Sequence, residues 1–256
     1  MKDKNIGVKI IIFSIILLPS LIISICLGFF TEDSFWESFF SGLLVTAVQF
    51  ILITFFLEIY IKKDATQQQI KSLAEDIDFS RNYKNEVVSQ TILLSIKKLN
   101  ALKVTKIDMN NCCLIQESYK GTINLLGSNI TGLVMRDCEF QNACFRQCKG
   151  DGASFELSKL CNCDFSYTII SNANFQSCNL LNANFENAIL SGANFKKAVL
   201  KDVSFANSVL DNSDFTGAMM LQADQFFSVK SSKNVKMDEA LLEKIRAKNS
   251  AFGQTL

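Results

Sequence analysis

Residues 173–202 read ANFQSCNLLNANFENAILSGANFKKAVLKD. Phe175, Phe185 and Phe195 recur ten apart, with Leu180, Leu190 and Leu200 midway between them, so the underlying period is five. Five residues at 3.6 per turn would carry the apolar positions right round a helix axis, which rules out an α-helix with one buried face. Extended chain places residues two apart on the same side. Sampling every fifth residue from Leu125 to Met220 gives twenty positions, all large and apolar except Gly150. Two residues ahead of each runs a second series, from Ile123 to Ala218, made mostly of Ala, Cys and Ser. A chain that bends after each short extended piece and stacks coil on coil buries one large and one small residue per pentad in a central column. The intervening Asn, Ser, Asp, Lys and Glu suit an outer surface and turns.

The predicted core is therefore Phe155, Phe165, Phe175, Phe185, Phe195, Phe205 and Phe215, interleaved with Leu160, Leu180, Leu190, Leu200 and Leu210. Each buried Phe is worth about 1.5–3 kcal/mol before entropy is subtracted. Gly150 predicts a core void or a bulged corner. Upstream, Val104, Met109, Leu114 and Tyr119 fit an earlier frame, with Ile107 and Cys112 as partners, and one inserted residue before Leu125 joins the two frames.

The copies ANFQS, ANFEN and ANFKK, starting at Ala173, Ala183 and Ala193, resemble the repeat of the pentapeptide-repeat family, approximately Ala-Asp/Asn-Leu/Phe followed by two variable polar residues. The resemblance implies a mainly β fold, a right-handed quadrilateral parallel β-helix with four pentads per coil. Twenty pentads then make five coils, about 24 Å of rod at roughly 4.8 Å per stacked strand, and residues 102–120 as a degraded first coil bring the count to five or six. Phe then occupies two opposite faces and Leu, Ile or Met the other two. The tail after residue 221 is similar to an ending seen in many members, with a capping helix expected over residues 237–248 around Leu241, Leu242 and Ile245.

The N-terminal part is of another kind. Residues 10–30 carry no charge across 21 positions, and residues 39–57 are a second uncharged run in which Gln49 is the most polar side chain. About 20 apolar residues span a bilayer core, so a transmembrane hairpin is expected. Lys2, Lys4 and Lys9 precede the first run, Lys62, Lys63 and Lys71 follow the second, and the segment between them carries only acids, which predicts both termini in the cytoplasm. Pro19 is expected to kink the first span. Apolar residues at spacings of three and four, Ile70, Leu73 and Ile77, then Val88, Ile92, Ile96 and Leu99, predict an amphipathic helical connector broken around residues 78–82. The expected domains are a hairpin over residues 1–61, the connector over 62–100, the β-helix over 101–227 with its strong repeats at 123–222, and a C-terminal cap over 228–256.

Composition narrows function. The chain has 256 residues, 22 Phe, one Pro and no His, with a net charge of +1. The commonest general base and metal ligand is thus absent, and no nucleophile elbow, phosphate loop or metalloprotease motif occurs, so no enzyme activity, catalytic residue or cofactor is expected. Cys138, Cys148, Cys163 and Cys178 fall on the small inward position, where Cys packs as a compact hydrophobe. Cys161 with Cys163, and Cys144 with Cys148, follow the pentad spacing rather than zinc-knuckle spacing, so neither metal nor disulfide is expected.

These features point to a non-enzymatic scaffold held by two spans in the bacterial inner membrane, presenting a cytoplasmic rod to a protein partner the sequence does not name. Lys196, Lys197 and Lys201 form a candidate contact face. An alternative is a membrane-perturbing effector in stress or phage defence, with Gln49 as a polar contact in a homo-oligomer. One branch of the family mimics duplex DNA and binds topoisomerases. Over residues 123–224 seven Lys plus Arg stand against ten Asp plus Glu, a net of −3, sparse beside one charge per about 1.7 Å of duplex. No nucleic-acid partner is expected.

Overall fold

The computed structural model describes residues 35–81, 83–119 and 121–254. The expected first span, Pro19 and the N-terminal lysines lie outside them. The chain divides into two compact units, Met1–Gln68 and Gln69–Leu256.

Two helices come first, α1 (Phe35–Ser80) and α2 (Glu86–Ala101). α1 begins inside the segment expected to link two spans and runs without a break through the expected boundary at residues 61–62. No Gly or Pro lies between residues 43 and 80 to stop it. In the first unit its apolar side chains face outward: Leu44, Ile51 and Phe56 are each more than 60% exposed. α2 starts at Asn85, whose side chain accepts from the Val88 N–H, a standard N-cap.

The repeats form four columns of parallel bridges, one per face. Face 1 runs from Asn124 to Ser204, face 2 from Asp108 to Ser231, face 3 from Cys113 to Lys236, and face 4 from Ser118 to Met219. Only the first coils are regular enough to count as strands: β1 (Cys113–Ile115) pairs with β3 (Val134–Arg136), and β2 (Ser118–Tyr119) with β4 (Glu139–Phe140). From Asn124↔Cys144 to Val199↔Met219 the partners are twenty residues apart, which is four pentads. The earlier pairs, such as Asp108↔Asn129, are 21 apart, so one extra residue enters between Tyr119 and Asn124.

The corners explain the polar half of each pentad. Asn174, Asn179, Asn184 and Asn194 each accept, through Oδ1, the N–H two residues on, which closes the bend. Residues at the corners themselves take left-handed backbone, with φ of 57° at Asn142, Asn162, Asn172, Asn182. Asn tolerates that region better than other L-residues.

Inside, the Phe series is fully buried and divides between faces 1 and 3. Along each face the rings stack: Phe145 on Phe165 at 4.6 Å and 1°, Phe175 on Phe195 at 5.0 Å and 5°. Across the column they meet edge to face, as at Phe165 and Phe175, 5.5 Å apart at 87°. Each ring thus has both arrangements aromatic pairs favour, worth about 0.5–1.5 kcal/mol per pair beyond burial. Leu160, Leu180, Leu190, Leu200 and Leu210 are fully buried on faces 2 and 4.

Three details differ from the sequence reading. Gly150 has no room for a side chain: a Cβ there would overlap the backbone of Ile130 and Thr131 one coil below. Met220 is not in the core but 64% exposed, since the chain turns away after Met219 into a short 3-10 helix, Ala223–Phe226. The column continues through Phe226, which stacks on Phe205 at 5.5 Å.

Both ends of the column are covered. At the start, Ile77, Ile92, Ile96 and Leu99 join the core, Ser89 Oγ accepts from Ile115 N–H and donates to the Cys113 carbonyl, and Asn100 bonds both the N–H and the carbonyl of Asn124. These side chains supply the edge bonds that a preceding coil would have made. At the other end α3 (Glu239–Arg246), shorter than the expected 237–248, buries Leu242 and Ile245, and Phe252 meets Phe226 edge to face at 5.5 Å.

The inward thiols are part of this packing. Cys178, Cys148, Cys163 and Cys138 donate to the carbonyls of Phe155, Leu125, Phe140 and Leu114 on the coil below, at 2.6, 2.9, 3.2 and 3.4 Å. Burial pushes all four from the ordinary value near 9 up to about 12. A thiol raised in this way favours the fold while protonated, so the contribution is complete below about pH 9 and fades as pH climbs toward 12. In iodoacetamide labelling of native protein at about pH 8, the half-exposed Cys144 and Cys161 should react and these four should not until the chain unfolds. Equal labelling of all six would contradict the packing.

Candidate interaction surface

Outward positions of the four faces carry different chemistry because the residue just before each large core position points away from the column. On face 1 these are Asn124, Cys144, Asp164, Asn184 and Ser204, and on face 3 Val134, Ser154, Asn174, Asn194 and Asp214, all polar but the thiol and Val134. On face 2 Ile169, Ile189 and Val209 follow one another on consecutive coils. Ile169 is 40% and Ile189 37% exposed. Tyr167 stands at the adjoining corner with the Arg146 guanidinium 4.6 Å over its ring. The sequence reading treated every outward position as polar and missed this stripe. Sampling every twentieth residue from Lys149 reveals it.

The three candidate lysines do not form one uniform face. Lys196 Nζ lies 3.2 Å from Asp214 Oδ2. Burial pushes the Asp214 carboxyl up, but hydrogen bonds from Thr216 and Lys196 outweigh it and hold the group below the ordinary carboxylate range. Lys197 and Lys201 are exposed and make no ion pair among the described residues. Gln49 sits half-buried in α1, its Oε1 buried with no hydrogen-bond partner among the described residues.

A second concentration of charge ties the helices of the second unit to the first coil. Arg81 Nη2 bonds the Asp108 carbonyl and carboxylate, both at 3.0 Å. Its Nε lies 3.1 Å from Asp78 Oδ1, within ion-pair reach but off the line of a hydrogen bond. Partial burial pushes Asp108 up, while the Arg81 bonds and the Asn110 N–H outweigh that and hold it low. An apolar cleft of about 400 Å³ between Ile70, Ala74, Leu99, Val104 and Ile107 lies beside this latch.

A family model described as pentapeptide repeats matches in eight copies, over residues 168–205, 178–217 and 193–224. No curated protein matches the chain. Among solved structures it is similar to HetL, a pentapeptide repeat protein involved in heterocyst differentiation regulation from Nostoc sp. strain PCC 7120, at 17% identity over 52% of this chain and 63% of HetL, with a TM-score of 0.35. The chain thus spans less than two thirds of the length of HetL. It is also similar to Rfr23 from Cyanothece 51142, at 19% identity over 57% of this chain and 99% of that one, TM-score 0.36. Trypsin-treated QnrB1, a plasmid-mediated fluoroquinolone resistance protein, shares 15% identity over 58% of this chain and 83% of its own, TM-score 0.29. Five-residue corners, twenty-residue bridges and the match over residues 168–224 agree that this part of the chain is built from pentapeptide repeats.

Proposed function

We propose that the protein is a non-enzymatic scaffold, anchored in the bacterial inner membrane by two spans with both termini in the cytoplasm, whose β-helix recruits a protein partner. The observation that carries this reading is the surface itself: a rigid column whose outward stripe Ile169, Ile189, Val209 is apolar while faces 1 and 3 are largely polar. Supporting the anchor, α1 is long and apolar enough to cross a bilayer. Fixed, stacked faces of this kind suit recognition of another surface rather than chemistry on a small substrate.

Lys197 and Lys201 remain the part of the basic patch free to meet a partner, Lys196 being engaged by Asp214. The test is affinity capture of full-length protein from membranes, comparing the parent with Ile189→Lys and with the pair Lys197→Glu, Lys201→Glu. Both variants should keep the parent's circular dichroism, because the altered side chains lie outside the column, and at least one should lose a specific partner roughly tenfold. Retention of every partner by both removes these surfaces from the account.

A second reading rests on Gln49. An amide oxygen buried without a partner in an apolar helix is costly and is relieved by hydrogen bonding to another helix. On that reading copies assemble through α1 and open the membrane. Expression should then leak dye from cells, and Gln49→Leu should abolish the leak; intact membrane potential at high expression rejects this alternative.

A further inference from the structure

Face 1, like face 4, stops one rung before faces 2 and 3. Its bridges end at Ser204, whereas face 2 continues to Ser231 and face 3 to Lys236 with steps of 22 residues. The surplus residues are taken up by the 3-10 helix Ala223–Phe226, which stands where the next rung of face 1 belongs. In the coils below, the N–H of each large core Phe on this face, and that of the corner residue three before it, finds the carbonyl of the rung above: Phe165 N to Asn184 O and Phe185 N to Ser204 O, at 2.7 and 2.8 Å, and at the corner Asn162 N to Leu181 O and Asn182 N to Lys201 O, at 2.8 and 3.0 Å. The equivalent donors in the last coil are the N–H groups of Phe205 and Asp202. Neither has an acceptor among the described residues. The carbonyl of Asp224, which by spacing would serve Phe205, instead accepts from Phe227 N inside the helical turn.

These donors open onto a notch of about 270 Å³ bordered by Asp202, Ser204, Ala206, Gln222, Asp224 and Ser228. Its floor is fixed rather than loose. Gln225 Nε2 donates to the carbonyls of Leu200 and Val203, both at 2.8 Å, and its Oε1 accepts from Gln222 N at 2.7 Å, so the acceptors there are satisfied and the two donors are left over. Asp202 and Asp224 are both exposed at the rim, Glu186 lies one coil below Ala206, and Lys201 is the single cation in the adjoining corner.

We propose that this notch docks an extended, lysine- or arginine-bearing segment of a partner protein, which supplies the missing rung. Two guest carbonyls three residues apart, the spacing at which Lys201 and Ser204 serve the coil below, accept from Asp202 and Phe205. The guest's basic side chains meet the carboxylates of Asp202 and Asp224. Strand addition to an open sheet edge gives affinity through the backbone and selectivity through such side chains, and an unpaired N–H in a buried core residue is a standing cost that the guest removes. The inference rests on the scaffold reading and names the chemistry of its partner.

The probe is the fluorescently labelled, end-blocked peptide Thr-Lys-Gly-Thr-Lys-Val, with Gly at the residue that must take left-handed backbone. Binding to full-length protein in detergent micelles is read by anisotropy, and amide hydrogen exchange is followed in parallel. The peptide should bind, the pair Asp202→Asn, Asp224→Asn should weaken it about tenfold or more, and a version with Glu for both Lys should not bind. Asn is tolerated at Asp202, where φ is 56°. Exchange at residues 202–206 should slow when peptide is present. Absence of binding at about 1 mM peptide, indifference to the Asn pair, or binding without slowed exchange each overturns the proposal. Capture of a membrane partner by the Asn pair at parental level, with the peptide failing to bind, overturns the notch and leaves the scaffold standing.

Discussion

Everything in the second unit depends on the contact between one Phe ring and the ring twenty residues later. Phe145, Phe165, Phe185, Phe205 and Phe226 make one stack, Phe155 to Phe215 the other, and the two meet edge to face along the axis. A ring shifted by one residue would point outward and leave a hole on the column, so the stack fixes the twenty-residue register against slippage. The backbone bridges follow that register, and the corners follow the bridges. Asn174, Asn179, Asn184 and Asn194 then close their own bends with their side chains.

A fold built this way leaves its surface free to vary. Core and corner positions take most of each pentad, and what remains points outward on four faces whose chemistry is set independently. That is why an apolar stripe on face 2, an acidic notch at the top of face 1 and unpaired lysines beside face 4 coexist on one regular scaffold. The ends are the costly places. α2 meets the first coil with Ser89 and Asn100, and α3 meets the last with Phe252, so the column presents neither an open edge nor bare core there. Faces 1 and 4 are the exceptions, and the unsatisfied N–H of the fully buried Phe205 on face 1, against the exposed Met220 on face 4, is the reason face 1 attracts a ligand in this account.

Much of the column was legible in the sequence because burial imposes a strict period, and Phe155 through Phe215 obey it without interruption. The single insertion before Leu125 was legible for the same reason: two frames offset by one residue have to be joined somewhere. Failures fell where the period ends. Met220 keeps the frame in sequence but leaves the column in space, because two surplus residues turn the chain into a helix, and Phe226 takes over one position late. Phe252 lies beyond the repeat and no periodicity announced it. The stripe on face 2 was missed because its period is twenty, visible only once the number of faces is known. The start of α1 at Phe35 escaped because the acidic segment around it looked like a loop between spans, whereas the helix already includes Glu37.

The most direct test of the stacked column is intramolecular cross-linking at outward positions, after Cys144 and Cys161 are replaced by Ser. Asn179 and Val199 are bridge partners on face 4, and Asn179 and Asn194 stand on different faces despite being closer in sequence. Mild oxidation of the Asn179→Cys, Val199→Cys variant should form a disulfide readily, since stacked strands lie about 4.8 Å apart, and the Asn179→Cys, Asn194→Cys variant should not. Equal cross-linking of both pairs, or efficient closure only of the second, would contradict the twenty-residue register on which the whole account stands.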